Sequence, residues 1–266
     1  MKKWIVFSLT AAAIAAIPLC AESAQDRGKR AVDDCVAALG GGKFLAVDNV
    51  VETGRAYSFY REQLNGLTIA RIARRFLNKV EDPSKTLAVL EREDFGKKLD
   101  YGILFQQDDA YDITFRGARP LATDRFERYK RSTLNDIFYI LRERLHEPGM
   151  VFESRGSEVW DNSPVEIVDI TDRDNQTVTV YFHKTTKLPM RQVLVWRDPV
   201  TRDRNEEITL YTKYREVDGV QWPQTMQRNR NGEKVYEMFA DSLEINKKLP
   251  GAMFELPSGM KKLKPE

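Results

Sequence analysis

The final part of the chain alternates between apolar and polar positions, and two short turn signals interrupt the alternation. Residues 211–257 contain the pairs Asp218-Gly219 and Asn231-Gly232. An Asp-Gly or Asn-Gly pair between alternating runs is the strongest short-range signal for a β-hairpin. This stretch therefore predicts two consecutive hairpins, followed by an irregular tail that still carries apolar residues.

The same period of two recurs upstream, where it predicts further strands bounded by turn residues. Asn65 and Gly66 are predicted to turn the first hairpin, and residues 117–121 are expected to break the pattern. Together with the closing hairpins, these segments indicate a mainly antiparallel β protein with about eleven strands in one domain. In chain order the predicted strands cover residues 47–60, 67–76, 87–92, 102–105, 111–115, 151–160, 165–170, 177–183, 190–197 and 207–214.

Two segments follow the helical period of about 3.6 residues instead. The first spans residues 26–39 and ends at glycines 40–42, which mark a helix C-terminus rather than a phosphate loop because they follow a helix. The second begins at Ser132 or Thr133 and runs to His146, after an earlier turn or two of helix. A helix with so wide a stripe must pack on a sheet face. Its apolar stripe comprises Leu134, Ile137, Phe138, Leu141 and Leu145.

Alternation also assigns one face of each strand to the interior of a single curved sheet. We expect the concave side of this sheet to be apolar and partly filled by the helices. Plain core packing is the alternative for each residue on that side, because a cavity wall and a packed core use the same residue types. The residues expected to line an apolar cavity are Leu134, Ile137, Phe138, Leu141, Val180, Phe182, Leu194, Trp196, Leu210 and Tyr214.

Residues 1–23 have the organisation of a secretory signal peptide. Lys2 and Lys3 precede an uncharged apolar stretch over residues 4–17, and Pro18 ends that stretch. The apolar stretch is too short to serve as a comfortable membrane span. We therefore expect an exported protein.

Cysteine usage refines the expected mature protein. Cys20 follows Leu19 rather than a small residue, so soluble export is favoured over a lipid anchor at Cys20. The mature domain, residues 24–266, keeps a single cysteine, Cys35, and cannot form an internal disulfide. Cys35 lies on the apolar face of the first helix, where a small buried hydrophobe is the expected role.

The balance of charge limits the classes of partner. The full chain has 42 basic and 40 acidic residues, and removing residues 1–23 leaves 40 and 39. This balance provides no global field for nucleic acid or for an anionic membrane. Arg71, Arg74 and Arg75 fall in the second predicted strand. They could bind an anionic head group, but a sheet face turned to water is the favoured interpretation.

The sequence shows no pattern that predicts catalysis, a metal site or a cofactor. His146 and His183 are not in a metal-binding spacing, and the adjacent acids Asp108 and Asp109 are interpreted as hairpin-turn residues. We therefore expect a protein that is not an enzyme. A cluster of Asp or Glu at the mouth of a cavity would favour an enzyme instead.

Several short motifs mark turns and strand ends along the chain. They are ALGG at 38–41, GSE at 156–158 followed by Pro164 and Val165, TTKLPM at 185–190, YREVDGVQWP at 214–223, NG at 231–232, Asn246, and FELP at 254–257. Together these motifs resemble those of the LolA-like proteins, which are exported outer-membrane lipoprotein-sorting proteins. The resemblance covers most of the mature chain. Because the motifs are structural turns, no functional residue is carried over from the family.

The resemblance implies an incomplete, unclosed antiparallel β-barrel, with helices acting as a plug and lid over an apolar cavity. It also implies a periplasmic, non-catalytic carrier that holds the acyl chains of lipoproteins or of a lipid. Such a carrier would be a monomer that exchanges cargo with an inner-membrane transporter and an outer-membrane acceptor. The alternative is a sensor or interaction module that resembles RseB and binds lipid or an envelope protein.

Overall fold

The computed structural model describes residues 22–78 and 80–265. The predicted signal peptide lies outside the described residues, Cys20 included, except for Glu22 and Ser23. Thirteen strands form one sheet within the described part of the chain. They are β1 (Asn49–Tyr60), β2 (Gln63–Phe76), β3 (Val89–Phe95), β4 (Tyr101–Phe105), β5 (Ala110–Thr114), β6 (Gly117–Pro120), β7 (Val151–Trp160), β8 (Ser163–Thr171), β9 (Thr177–His183), β10 (Pro189–Arg197), β11 (Arg204–Val217), β12 (Val220–Arg230) and β13 (Glu233–Ile245).

The strands form two antiparallel meanders, the first of β1–β6 and the second of β7–β13. Their order across the sheet is β6-β5-β4-β3-β2-β1-β13-β12-β11-β10-β9-β8-β7, so β1 and β13 meet in the middle while β6 and β7 form the two edges. The sheet is not closed into a barrel, and the predicted mainly antiparallel, incomplete barrel is confirmed. Strand β6 was missed by the sequence prediction, because Gly117 and Pro120 at its ends are residues that usually interrupt strands.

The two closing hairpins have the predicted turns. Asp218 and Gly219 have φ angles of 54° and 83°, and Asn231 and Gly232 have angles of 51° and 86°. A two-residue turn that matches the twist of its strands needs positive φ at both central residues, which Asn, Asp and Gly adopt most easily. The Asx-Gly pairs therefore fix the registers of β11 with β12 and of β12 with β13.

The first hairpin turns at a different place from the prediction. Arg61 and Glu62 form its turn, with φ angles of 50° and 62°. Gly66 lies inside β2 and pairs with Ser58, whereas Asn65 is an extra residue where the register shifts. The Asn-Gly pair at 65–66 thus marks a β-bulge rather than a turn, which sequence alternation alone does not distinguish.

Helix α1 (Ala24–Leu39) is close to the first predicted helix. The Ser23 side chain caps its N-terminus by accepting a hydrogen bond from Asp26 N at 3.0 Å, and Gly40 ends it with a φ of 126°. A four-residue helix, α2 (Gly42–Leu45), follows at once. Among the described residues no helix has the length and hydropathy to cross a bilayer.

The second predicted helix is interrupted, so the prediction of one continuous helix up to His146 is wrong. Helix α3 (Thr123–Leu134) ends before Asp136, and a new helical segment starts with α4 (Ile137–Tyr139) and continues as a π-helical turn, Ile140–Arg144. The Asp136 carboxylate accepts a hydrogen bond from Phe138 N at 3.0 Å and caps α4. This cap starts a new helical segment in place of a continuous helix, because α4 is also anchored to the sheet.

The main core lies between the concave face of β7–β12 and the helices α1 and α4. Cys35 is buried there without contact to water, which confirms its expected role as a small apolar residue. Burial raises the pKa of its thiol. The largest contributors to this core include Leu39, Phe44, Ile137, Ile140, Leu141, Ile170, Phe182 and Tyr211.

The C-terminal tail covers the opposite, convex face of the first meander. Phe254 packs against Val51 and Ala73, and further along Leu263 N donates a hydrogen bond to Ala118 O at 2.8 Å. The guanidinium of Arg75 stacks over the Phe254 ring at 4.7 Å. The tail therefore packs against β1–β3 from the outside and pairs with the edge strand β6 through Ala118.

We expect Gly28→Ala to destabilise the protein by about 1–3 kcal/mol, because a Cβ at this position of α1 would overpack its contact with β7. The added atom would lie 2.7 Å from the carbonyl carbon and oxygen of Phe152. Gly42→Ala is the matched control, since no other atom lies within 4 Å of its added Cβ. Urea titration measures both free energies of unfolding, and equal values for the two variants would contradict the close contact.

Candidate functional site

A cavity in two parts opens between helix α3 and the first meander. The part beneath α3 has a volume of about 560 Å³, and the part nearer the β1–β2 turn has a volume of about 710 Å³. Ser58, Arg125 and Tyr236 line both parts, so the two parts adjoin at these residues, which we call the neck. Both volumes fall in the range of about 300–1,000 Å³ that is typical of pockets for small molecules.

The part near the β1–β2 turn, which we call the apolar compartment, is lined mainly by hydrocarbon. Ala56, Leu67, Phe95, Ile103 and Ile113 contribute to its wall. It is the more open of the two parts. Each CH₂ group removed from water by such a wall contributes about 0.8 kcal/mol, so the compartment suits an acyl chain.

The part beneath α3, which we call the polar compartment, contains charged side chains on neighbouring strands. Arg74 on β2 donates to Glu52 on β1 at 2.5 Å and also to Glu91 on β3. Trp222 Nε1 donates to the other Glu52 oxygen at 3.3 Å. Burial lowers the pKa of Arg74, but the two carboxylates outweigh it, and the net shift is upward. Arg74 therefore stays charged and forms an ion pair with each of the two glutamates.

Glu93 lies two residues beyond Glu91 on the same strand and faces the same compartment. Burial, followed by the charge of Glu91, raises the pKa of Glu93 to about 8. Near neutral pH this side chain is therefore mostly a protonated acid, able to donate a hydrogen bond.

The opposite wall of the polar compartment carries a second charge cluster. Glu207 on β11 accepts hydrogen bonds from Arg230 at 2.6 Å and from Ser132 of α3 at 2.7 Å. Its carboxylate also lies 3.5 Å from Nε of Arg228. Burial raises the pKa of Glu207, but Arg228 and Arg230 outweigh burial and the net shift is downward. Ser132, predicted as a possible helix cap, instead ties the middle of the roof to the sheet.

Helix α3 forms the roof of the cavity and is fastened along its length. Near its N-terminus, Arg125 pairs with Asp112 of β5 at 3.1 Å. In its second half, the Tyr129 ring stacks on Phe105 with centroids 3.6 Å apart, and the Tyr129 hydroxyl is buried in the cavity wall without a hydrogen-bond partner. Because half of the α3 residues are charged and few are large and apolar, α3 does not fill the space beneath it.

The junction of α3 and α4 is fixed by a buried polar contact. The Tyr211 hydroxyl lies 2.8 Å from the Asp136 carboxylate and 2.9 Å from Gln192 Oε1. Gln192 Oε1 also accepts from Ile137 N at 2.8 Å. Burial raises the pKa of Asp136. These bonds hold α4 down on the core at the point where α3 separates from the sheet.

Comparison with known proteins gives matches in structure alone. No protein-family model matches the sequence, and no curated protein matches it. A DUF1329 family protein from Desulfovibrio piger has a TM-score of 0.59 at 13% identity, over 88% of this chain and 98% of that one. A protein from Vibrio parahaemolyticus, described as an outer membrane lipoprotein-sorting protein domain, has a TM-score of 0.55 at 11% identity, over 87% and 97%.

A LolA superfamily protein from Nitrosomonas europaea has a TM-score of 0.51 at 11% identity, over 88% of this chain and 98% of that one. The chain has a LolA-like fold. The family resemblance read from the turn motifs is therefore confirmed at the level of architecture. At identities of 11–13%, the LolA-like fold leaves the ligand to be argued from the cavity itself.

The LolA-like sheet places nine of the ten predicted cavity residues in three environments. The role of these residues as ligand contacts stays a prediction. Phe138 lines the polar compartment, where its ring lies 5.1 Å from the rings of both Tyr211 and Trp222. Five lie in the packed core, namely Ile137, Leu141, Val180, Phe182 and Leu194. Three are partly buried and pack against that core, namely Leu134, Trp196 and Tyr214.

Leu210 is the exception, because it does not face the concave side. Glu207, Thr209 and Tyr211 are the buried residues of β11, so Leu210 points to the other face. The expected face of this strand was wrong because the sequence prediction kept polar residues outside, whereas Glu207 is ion-paired inside. Lys213 has a φ of 54°, so the alternation does not continue unbroken to Tyr214.

The charged residues that line the polar compartment were missed, although a signal for some of them is present in the sequence. Arg74 was assigned to a water-facing side together with Arg71 and Arg75, but strand alternation separates it from both. In the structure Arg74 faces the cavity, while Arg75 lies against the C-terminal tail. An odd–even count along β2 would have placed Arg74 on the side of Ile72.

We expect Glu93→Gln to stabilise the protein relative to the wild type as pH rises. Unfolded Glu93 ionises near its ordinary pKa of 4.5, whereas folded Glu93 stays protonated up to about 8. The wild type therefore loses stability between these pH values, and glutamine does not titrate. The difference should be near zero at pH 4 and reach about 4 kcal/mol at pH 8.

Denaturant titrations at pH 4, 6 and 8 measure this difference. Glu158→Gln is the control, because Glu158 is exposed on β7 and is not part of the cavity. A pH-independent difference for Glu93→Gln would show that Glu93 is ionised in the folded protein.

Proposed function

We propose that this protein is a non-catalytic binding protein that holds the acyl chain of a lipid or of a lipoprotein. The observation that carries the proposal is the cavity itself, with an apolar compartment of about 710 Å³ adjoining a polar one. An amphiphile has the same division into hydrocarbon and polar group. Burying the chain stabilises the complex without any reacting group, so binding needs only the shape and polarity that the cavity has.

The proposed setting is the periplasm. Support comes from the signal-peptide pattern of residues 1–23 and from the LolA-like fold. The similar protein from Vibrio parahaemolyticus is described as an outer membrane lipoprotein-sorting protein domain. In this setting the protein would act as a monomeric carrier, loaded by an inner-membrane transporter and unloaded by an outer-membrane acceptor.

The clustered carboxylates of the polar compartment are the feature that would favour an enzyme instead. Burial and the neighbouring Glu91 raise the pKa of Glu93, which makes Glu93 a candidate proton donor. However, Glu52 and Glu91 are both ion-paired with Arg74, and Asp136 is held by Tyr211. No ionised carboxylate of this cluster is left free to act as a base, so we assign the cluster to binding.

A second candidate function is an RseB-like sensor that contacts an envelope protein. The observation in its favour is a group of exposed apolar side chains around the β1–β2 turn, beside the apolar compartment. Tyr60, Leu64 and Leu67 keep 64%, 56% and 57% of their surface accessible. Apolar side chains grouped in this way often mark contact surfaces. A partner bound there would sense whether the compartment is filled.

We expect the purified protein to retain acyl lipid, or to take up one fluorescent acyl lipid per chain. Native mass spectrometry after mild extraction would show the bound mass. Thr68→Trp should abolish uptake by filling the apolar compartment, because Thr68 is part of its lining. Thr212→Trp is the control on an exposed position of β11. A wild-type protein that shows only the bare chain mass and takes up no lipid would contradict acyl binding.

A further inference from the structure

Arg228 is the exception among the five arginines that line the polar compartment. It makes no side-chain hydrogen bond with any of the described residues, and its Nε is buried without a hydrogen-bond partner. Its contact with a carboxylate is the 3.5 Å approach to Glu207, whose oxygens already accept from Arg230 and Ser132. The four that hydrogen-bond to a carboxylate are Arg74, Arg125, Arg128 and Arg230.

Arg228 lies in the cavity wall, where a bound ligand can accept hydrogen bonds from its unused donors. Arg228 on β12 is directly opposite Tyr236 on β13, and Tyr236 is opposite Ser58 on β1. Tyr236 and Ser58 line both compartments. One row of cross-strand neighbours therefore runs from the neck to Arg228. A group bound to Arg228 would lie where the apolar compartment meets the polar one.

The charges around Arg228 favour an anion over a cation. Three carboxylates of the compartment already have partners, since Arg74 pairs with both Glu52 and Glu91, and Asp136 accepts from Tyr211. The fourth, Glu93, is mostly protonated near neutral pH and offers a hydrogen-bond donor rather than a negative charge. A cationic group would have to displace one of these bonds or remove the proton of Glu93. An anionic group would instead accept hydrogen bonds from the unused donors of Arg228. Bonds between two charged partners are the stronger kind in a site shielded from water.

We propose that Arg228 binds the anionic head group of an amphiphile, a carboxylate or a phosphate, while its hydrocarbon chain lies in the apolar compartment. This proposal rests on the proposed function, because it specifies the ligand of the same cavity. A guanidinium forms paired hydrogen bonds with either anion. The Tyr236 hydroxyl, one strand away, is a further donor at the neck.

Four single-chain probes with the same oleoyl or oleyl chain test the charge preference on the wild-type protein. They are oleate, oleoyl lysophosphatidate, monoolein and oleylamine, each titrated below its critical micelle concentration. We expect both anions to bind at least about tenfold more tightly than neutral monoolein, and oleylamine to bind most weakly. The tighter of the two anions identifies the head group as carboxylate or phosphate.

Three variants connect the preference to Arg228. Arg228→Gln should weaken oleate binding about tenfold or more and leave monoolein binding unchanged. Arg228→Lys should keep the preference for anions in part, because it retains the charge without the paired donors. Arg55→Gln is the control, since Arg55 lies on the surface in an exposed pair with Asp241. Melting temperatures establish that each variant is folded.

The outcomes separate this proposal from the proposed function. If no probe binds the wild type, acyl binding itself fails. If oleate and monoolein bind the wild type equally, or oleylamine binds more tightly, acyl binding stands and the anion site is overturned. Equal losses of oleate and monoolein in Arg228→Gln would also overturn it, because they indicate a structural role. Should Arg228→Gln fail to fold, the wild-type probe series decides the question alone.

Discussion

The order of the strands imposes one requirement on the whole molecule. Consecutive strands β6 and β7 lie at opposite edges of a thirteen-stranded sheet, so the chain between them must cross the sheet. It crosses as α3, α4 and the π-helical turn, on the concave side. The sheet curves around this crossing without closing, and its concave face becomes the interior. Both the core and the cavity are consequences of how the crossing segment packs.

The crossing segment divides that interior into a packed half and a hollow half. From Ile137 to Leu141 it is apolar and buried, and it completes the core against β8–β11. Before Asp136 it is the charged helix α3, which is held by Arg125, Tyr129 and Ser132 rather than by a continuous apolar face. The same segment therefore seals one half of the sheet and roofs a space over the other.

The sequence predicted the architecture well where local chemistry decides it. The Asx-Gly turns of the two closing hairpins, the helix ending at Gly40 and the period-two strands all depend on neighbouring residues, and the structure has them. The Asn-Gly pair at 65–66 is the exception, since it marks a bulge. The errors lie where distant contacts decide. The helix breaks at Asp136 because Gln192, far along the chain, binds the backbone of Ile137. The face of Leu210 differs because Glu207 has charged partners from β12.

The candidate site was largely hidden from the sequence for the same reason. The residues predicted to line an apolar cavity are mostly core, since hydrophobicity alone does not separate a wall from a filled interior. The cavity lies largely against the first meander. The polar residues of its wall have the sequence pattern of a solvated surface. Arg74, Glu52 and Glu91 come from three strands, and their proximity exists only once β1, β2 and β3 are paired.

These buried charges also carry information about the ligand. Replacing a buried ion pair by apolar residues is often neutral or even stabilising, so stability alone does not explain the charges of the polar compartment. The compartment beneath α3 carries these charges, and the compartment near the β1–β2 turn is lined mainly by hydrocarbon. An amphiphile, which has both a hydrocarbon chain and a polar group, matches this division better than a purely apolar ligand does.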